Sequence, residues 1–284
     1  MIYLGQNVAN IGNALVEYNG NSNQNLVLQM PVPIQDYLNV VVTSCDSIWD
    51  IHGHTNIEVM GREIRSGCTI DVQGTAISDA NFVVNFEGLC QDGYSVTLNE
   101  DVLSIGSATI TFGRPFKIIE LIMSPCNDIV NIIKTYDDTE EVIIIGGSGS
   151  DVIELGKVNT KFEDQIHSDI IIESEPGSHY DIIVNDEGSN ESKTIDVRPN
   201  GLTGFHEFNN RTIAYPPFGV NEATLRIGEG TMINVVNTAE DVALRIDSSN
   251  GNNVSDSMLD LFYLYTRGLY FNVILFCSHY VTAI

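Results

Sequence analysis

Short apolar runs broken by turn residues cover most of the chain, most clearly in Glu140–Gly156. There, the apolar run Val142–Ile145 meets a turn rich in glycine and serine, and alternation of apolar and polar residues resumes at Val152–Leu155. Runs of this length, bounded by glycine and aspartate, are typical of buried strands. The stretch therefore predicts two strands joined by a tight turn in which glycine supplies the positive φ.

Similar runs recur at near-even spacing, whereas helix signals are almost absent before residue 255. The clearest runs are Leu26–Met30, Leu38–Thr43, Thr69–Val72, Phe82–Phe86, Ser95–Leu98, Ala108–Phe112, Ile118–Met123, Ile129–Ile133, Asp169–Glu173, Asp181–Asn185, Thr194–Val197, Arg211–Tyr215, Ala223–Ile227, Met232–Val236 and Val242–Ile246. Many short strands separated by turn residues predict an all-β protein, built as a sandwich, a barrel or a solenoid.

Several segments recur in the same order about 100 residues later. The aligned pairs are Cys68–Val72 with Ser168–Ile172, Asn81–Gly88 with Asp181–Gly188, Ile110–Phe112 with Ile213–Tyr215, and Asp128–Thr135 with Thr231–Thr238. Because the order is preserved, the sequence predicts a repeat of about 100 residues that contains several strand–turn–strand segments.

The repeat divides the chain into five parts. Residues 1–31 are interpreted as the end of an earlier unit, 32–134 and 135–238 as two full units, 239–254 as the start of a third, and 255–284 as a hydrophobic tail. The expected fold is a right-handed parallel β-helix, or β-solenoid. Tandem β-sandwich repeats are the alternative, because about 100 residues is also the size of such a domain.

Three features resemble very large secreted or surface-attached, adhesin-like β-repeat proteins whose turns are related to the calcium-binding haemolysin-type (RTX-like) repeats. Gly146–Glu154, GGSGSDVIE, matches the glycine-rich nonapeptide GGxGxDxUx. Asp181–Val197 is similar to the segment in which a strand ends in acidic residues before a polar loop. Gly201–Tyr215, followed by strands to Thr238, is similar to the LTG…ITY run of those arrays. The resemblance implies an extracellular or cell-surface location.

The resemblance also implies weak calcium binding, with Asp151 of the nonapeptide as the first ligand. Asp181, Asp186 and Glu187 would supply further oxygens from a neighbouring turn. Two turns are needed because calcium takes six to eight oxygen ligands. Calcium and surface glycans are thus the expected partners.

The charge balance excludes one large class of partner. The chain has 13 Lys and Arg against 38 Asp and Glu, a net charge of −25. Such a surface repels phosphate backbones, so nucleic-acid binding is not expected. The repeats favour a non-catalytic structural or adhesive segment of a large extracellular protein. Residues 1–10 lack the pattern of a signal peptide, so a secreted chain is expected to be part of something longer.

The rival hypothesis is a calcium-dependent, polysaccharide-active β-helix enzyme, either a lyase or a glycoside hydrolase. Paired carboxylates roughly 5–10 Å apart would carry that chemistry. Trp49 is the only tryptophan, and no basic cluster is present to stabilise a uronate. No catalytic residue is therefore assigned.

The cysteines and histidines give weaker signals. The five cysteines, Cys45, Cys68, Cys90, Cys126 and Cys277, are widely spaced without a CxxC pair, so a zinc cluster is not supported. A disulfide and buried free thiols both stay open. Asp50–His54 contains two imidazoles that could share a metal, but no third ligand is identifiable. Cys277–His279 resembles a nucleophile–base pair only in composition.

The segment Leu259–Ile284 lacks the turn residues of the rest of the chain. A membrane span needs about 20 uninterrupted apolar residues, and Asp260, Arg267 and His279 interrupt this one. A terminal anchor, a cap on the end of the array and a tail foreign to the array are the three interpretations. Membrane contact is expected only through this tail.

Overall fold

The structure is a computed structural model. It describes residues 15–18, 25–28, 38–42, 47–51, 55–61, 64, 66–74, 77–88, 93–113, 115–175, 177–190, 192–205, 211–228, 231–235, 242–248 and 273–276.

Nearly all regular structure in these ranges is strand. The strands are β1 (Leu15–Tyr18), β2 (Asn25–Leu28), β3 (Leu38–Val42), β4 (Ser47–Ile51), β5 (Thr55–Met60), β6 (Thr69–Gly74), β7 (Ile77–Asn85), β8 (Ser95–Asn99), β9 (Val102–Ile105), β10 (Ala108–Phe112), β11 (Phe116–Ile122), β12 (Ile129–Lys134), β13 (Glu141–Gly146), β14 (Gly149–Leu155), β15 (Asp169–Ser174), β16 (Ser178–Asp186), β17 (Thr194–Arg198), β18 (Gly201–Thr203), β19 (Thr212–Ala214), β20 (Val220–Ile227), β21 (Met232–Val235), β22 (Ala243–Ser248) and β23 (Val273–Phe276). One 3-10 helix spans Phe162–Asp164. The all-β prediction is confirmed.

The strands form two large mixed sheets, which we name sheet A and sheet B. Sheet A has the order β1-β3-β5-β7-β11-β13-β15-β19-β18-β17-β21-β23, and sheet B the order β2-β4-β6-β10-β9-β8-β12-β14-β16-β20-β22. From β1 to β7 and from β11 to β16, successive strands alternate between the sheets and pair in parallel with the strand two positions earlier.

Two antiparallel meanders interrupt the alternation. In sheet B, β8, β9 and β10 pair antiparallel with one another, and the outer two join parallel neighbours β12 and β6. In sheet A, β17, β18 and β19 do the same between β21 and β15. In each meander, three consecutive strands therefore lie in one sheet where the alternation would otherwise place a single strand.

The core lies between the two sheets. In β13, Val142 and Ile144 are buried while their neighbours are half-buried, and in β14 the same alternation buries Ile153 and Leu155. The inward residues of both sheets belong to one hydrophobic cluster. Alternation along each strand is what places one apolar face on this cluster.

Aromatic rings fill the core between the meander of sheet B and the strands facing it. The ring of Phe82 in β7 lies 5.2 Å from that of Phe112 in β10 and 5.1 Å from that of Phe116 in β11. Ring pairs at this separation add stabilisation beyond the area that they bury. These contacts fasten the first meander to sheet A.

The segments that align about 100 residues apart in the sequence lie on strands of opposite sheets, and they follow one another in the same order in both units. Asn81–Gly88 covers the end of β7 in sheet A, and Asp181–Gly188 covers the end of β16 in sheet B. Likewise β12 is in sheet B and β21 is in sheet A. Both sheets run without interruption past residues 134 and 135, through the pairs β12–β14 and β11–β13.

Of the hydrophobic tail, only β23 lies within the described residues. It pairs antiparallel with β21, Val273 opposite Val235 and Phe276 opposite Met232. The described residues contain no helix of the length and apolar character that crossing a membrane requires.

Candidate functional site

The four carboxylates predicted to bind calcium lie in different environments. Asp151 is on the inner face of β14, with 2% of its surface exposed. Asp181, on the adjacent strand β16, is exposed on the outer face. Asp186 ends the same strand fully buried, and Glu187 follows it in the turn. The structure brings together only Asp186 and Glu187, which are consecutive in the sequence.

Within the described part of the chain, no group of three or more His, Cys, Asp or Glu side chains is arranged to hold a metal ion. The imidazoles of His52 and His54 lie outside the described residues, as do Cys277 and His279. Calcium binding therefore stays a prediction from the resemblance.

The cysteines divide in the same way. Cys68 and Cys126 are each disulfide-bonded, whereas Cys45, Cys90 and Cys277 lie outside the described residues. Cys68 directly precedes β6, and Cys126 lies in the turn before β12. The bonds therefore fix the entry to two strands of sheet B.

The glycine-rich turn before Asp151 is shaped by close packing against the preceding turn. A Cβ atom on Gly147 would lie 1.9 Å from the carbonyl oxygen of Ser124, and one on Gly149 would lie 2.6 Å from that of Cys126. Gly149 also has a φ of 135°, which other residues rarely adopt. The glycines that match the nonapeptide therefore have a structural role that does not involve a bound ion.

Replacing Gly147 by alanine is expected to destabilise the protein by about 3 kcal/mol, since backbone atoms must move to admit the methyl group. Gly113→Ala is a matched control, because nothing lies within 4 Å of its Cβ position. Chemical denaturation of both variants checks the prediction. Equal midpoints for the two variants would contradict the close approach of the turns.

Asp151 belongs to a row of inward polar side chains that crosses sheet B. The row holds Tyr94 and Asp128, which directly precede β8 and β12, and Asp151 and Tyr180, which are the third residues of β14 and β16. Asp128 accepts a hydrogen bond from the backbone N–H of Tyr94, and Asp151 Oδ1 accepts one from the backbone N–H of Asp128 at 2.9 Å. Each aspartate thus links its own turn to the preceding one.

The two aspartates differ in how well their oxygens are satisfied. Both oxygens of Asp128 accept hydrogen bonds from the Ser124 hydroxyl, and Oδ2 accepts a further one from the Ser124 backbone N–H. The second oxygen of Asp151, Oδ2, is buried and has no hydrogen-bond partner among the described residues. Burial therefore raises the pKa of Asp151 to about 7, and the nearby charge of Asp128 adds to this shift. Burial also raises the pKa of Asp128.

This row can hold a proton near neutral pH, but it lies inside the core. A general acid must reach the atom that it protonates, and Asp128 and Asp151 are 1% and 2% exposed. The row therefore affects the stability of the protein and the pH dependence of that stability.

A second buried polar cluster surrounds Asp186. Its Oδ1 accepts a hydrogen bond from the backbone N–H of Phe162 at 3.0 Å, and its Oδ2 lies 2.8 Å from Lys193 Nζ. Lys193 also contacts Glu163 Oε2 at 2.8 Å and donates to the carbonyl oxygen of Phe205. Burial raises the pKa of Asp186, while Lys193 acts in the opposite direction. This cluster joins the end of β16 to the 3-10 helix and to the chain entering β17.

The outer face of sheet A carries a third group of carboxylates. Glu58, Glu120 and Glu173 lie on β5, β11 and β15. Partial burial raises the pKa of Glu120, with further contributions from the charges of Glu173 and Glu58. Its neighbours across the strands are the aliphatic residues Val83 and Ile143. A half-buried carboxylate among aliphatic residues and like charges suits binding of a cationic group.

Asp128 and Lys193 were not among the residues predicted from the sequence, and the burial of Asp151 on the inner face of β14 was not predicted either. The sequence does indicate that Asp151 points inward. It lies two and four residues before the apolar Ile153 and Leu155, and alternate residues of a strand lie on the same face. Asp128 has the same relation to Val130 and Ile132. No local pattern marks Lys193, because its contacts with Asp186, Glu163 and Phe205 join three separate segments of the chain.

Comparison of the chain with protein-family models, curated proteins and solved structures gives no match.

Proposed function

We propose that the chain is a non-catalytic structural and adhesive segment of a large extracellular or cell-surface repeat protein, with its strands stacked as a right-handed parallel β-solenoid. The parallel pairing of alternate strands carries this proposal. Apart from the two meanders, each strand from β3 to β20 pairs with strands of the preceding and following turns. Such a stack buries the apolar face of each turn on its neighbours, so its length grows by repetition.

Two observations support an extracellular setting. Cys68 and Cys126 are both in disulfide bonds, which persist in oxidising compartments and are rare in the cytosol. The net charge of −25 keeps a long array soluble and discourages association between copies. Calcium would act in this setting by relieving repulsion between carboxylates rather than by completing one dedicated cage.

The test of the stack uses a pair of introduced cysteines across the predicted boundary between units. Asn131 in β12 and Glu154 in β14 are register partners on the outer face, and adjacent strands bring Cα atoms close enough for a disulfide. We expect Asn131→Cys with Glu154→Cys to cross-link under mild oxidation, as read by peptide mass spectrometry.

The matched control pairs Asn131→Cys with Thr224→Cys, because β14 and β16 separate those two strands. It should not cross-link. Tandem sandwiches would place Asn131 and Glu154 in different domains, so absence of the first cross-link overturns the continuous stack. Thiol labelling before and after reduction tests the setting: Cys68 and Cys126 should react only after reduction, and labelling of both beforehand would contradict it.

A further inference from the structure

The outer face of sheet A carries aliphatic side chains where sheet B carries mainly polar ones. We define the sheet A patch as Val83, Ile118, Ile122, Ile143, Ile145 and Ile171, which are half-buried residues on β7, β11, β13 and β15. The register places them as neighbours: Ile143 lies beside Ile171, and Ile145 lies beside Ile122. The corresponding positions of sheet B include Thr97, Thr109, Asn131 and Glu154.

Continuous isoleucine runs in a parallel sheet have a physical meaning. Strands buried on one face alternate apolar and polar residues, whereas parallel strands buried on both faces read as unbroken apolar runs. The run Val142–Ile145 in β13 and the run Ile170–Ile172 in β15 are of the second kind. The core contains Val142, Ile144, Ile170 and Ile172. The remaining isoleucines of these runs therefore lie on the outer face, where they are available for contact with a partner.

Negatively charged side chains on the same face restrict the kind of partner that can bind there. Glu58, Glu120, Glu141 and Glu173 lie in register rows with the patch. The basic side chains that the structure places at its border, Lys117 and Arg211, already lie 3.6 Å from Glu140 and Asp169. Among the described residues, these rows thus hold no lysine or arginine opposite the carboxylates interleaved with the isoleucines.

We propose that the sheet A patch binds a basic, amphipathic polypeptide surface that presents aliphatic and Lys or Arg side chains in alternation. Aliphatic groups of such a partner cover the isoleucines, while its cations pair with the four glutamates. A second copy of this chain is disfavoured as the occupant, because it would bring glutamate against glutamate. The proposal rests on the adhesive role proposed above and names the surface and the class of partner.

The test uses the full chain and a synthetic peptide in which lysine and valine alternate. Binding is measured by calorimetry at physiological salt, beside a peptide in which lysine and serine alternate. We expect the lysine–valine peptide to bind at least about tenfold more tightly, a difference of one decade in Kd. Equal affinity for both peptides means generic attraction to an acidic protein and overturns the proposal.

Variants locate the site. Ile143→Thr with Ile145→Thr should weaken binding of the lysine–valine peptide about tenfold, whereas Ile129→Thr with Ile183→Thr, on the outer face of sheet B, should not. Glu120→Gln with Glu173→Gln should weaken it, whereas Asp181→Asn with Glu222→Gln removes the same charge from sheet B without effect. Thermal melts confirm that each variant is folded.

Three results would overturn the proposal: no binding, equal loss from both sheets, or a dimer in sedimentation that Ile143→Thr with Ile145→Thr abolishes. A dimer that this variant abolishes would show that a second copy of the chain binds the sheet A patch. If the peptide fails while Asn131 and Glu154 still cross-link as cysteines, the stack stands and only the adhesive surface is lost. If the peptide binds without that cross-link, both the stack and the patch as defined here are overturned, because the patch joins β11 to β13 across the same boundary.

Discussion

Replacement of Lys193 by methionine is expected to lower the free energy of unfolding by about 3–5 kcal/mol, the usual cost of leaving one partner of a buried ion pair behind. The side chain of Lys193 is 10% exposed and that of Asp186 is 0% exposed. Methionine fills a similar volume, so the loss reports the missing charge. Urea denaturation at neutral pH measures it.

Two comparisons make the Lys193 result specific. Lys134→Met removes an ion pair in which Lys134 Nζ lies 2.6 Å from Glu100 Oε2, and these side chains are 34% and 37% exposed. Because exposed ion pairs contribute little, the free energy of unfolding should fall by less than about 1 kcal/mol. Adding Asp186→Asn to Lys193→Met should restore part of the stability, because the asparagine is neutral and keeps the oxygen that accepts from Phe162. Equal losses for Lys193→Met and Lys134→Met would show that Asp186 is not buried as described.

Asp151→Asn is expected to stabilise the protein above pH 7, by at most about 4 kcal/mol. Burial raises the pKa of Asp151 from 3.8 to about 7, so the folded state binds this proton more tightly than the unfolded chain does. The contribution favours folding fully below pH 4, declines as the pH rises from about 4 to 7, and is lost above 7. Asparagine is neutral throughout and keeps the oxygen that accepts from Asp128.

Thermal melts of the wild type and Asp151→Asn between pH 4 and 8 check this. The two proteins should differ most at pH 8 and converge towards pH 4. Asp181→Asn on the outer face is the control, since it removes one charge from an exposed position and so separates burial from general repulsion. A lower melting temperature for Asp151→Asn at pH 8 contradicts the buried, unpartnered carboxylate.

The same variant tests calcium. If Asp151 is a ligand, calcium should raise the melting temperature of the wild type above that in sodium at equal ionic strength, and Asp151→Asn should abolish the difference. If the carboxylate is instead a buried member of the polar row, both proteins should respond alike.

Much of the strand pattern was accessible from the sequence, because alternation depends on local spacing. The run Val142–Ile145 lies within β13, and Thr194–Val197 lies within β17. The strand β9, four residues between two turns, was not among the strands predicted from the sequence. As the centre of a meander, β9 is recognised by its pairing with β8 and β10, which a local pattern does not contain.

The candidate sites were less accessible, for reasons that differ between residues. Asp151 was assigned from its glycine-rich neighbours, but those glycines admit the backbone of Ser124 and Cys126. Motif resemblance could not separate that packing role from an ion-binding one. The sheet A patch depends on register between β11, β13 and β15, which the sequence does not specify because every isoleucine in these runs is equally apolar.

The exchange of sheets between aligned segments has a consequence for any longer array of these units. Between β6 in sheet B and β15 in sheet A, the chain changes sides an odd number of times, since each meander counts as one visit. A unit added by this rule begins on the side opposite to its predecessor, so successive units are related by a half-turn about the long axis. A side chain that occurs once in each unit would then lie on opposite faces of the array in successive units. It would return to the same face only after two units, or about 200 residues. In such an array, equivalent surfaces of successive units would therefore lie on opposite faces.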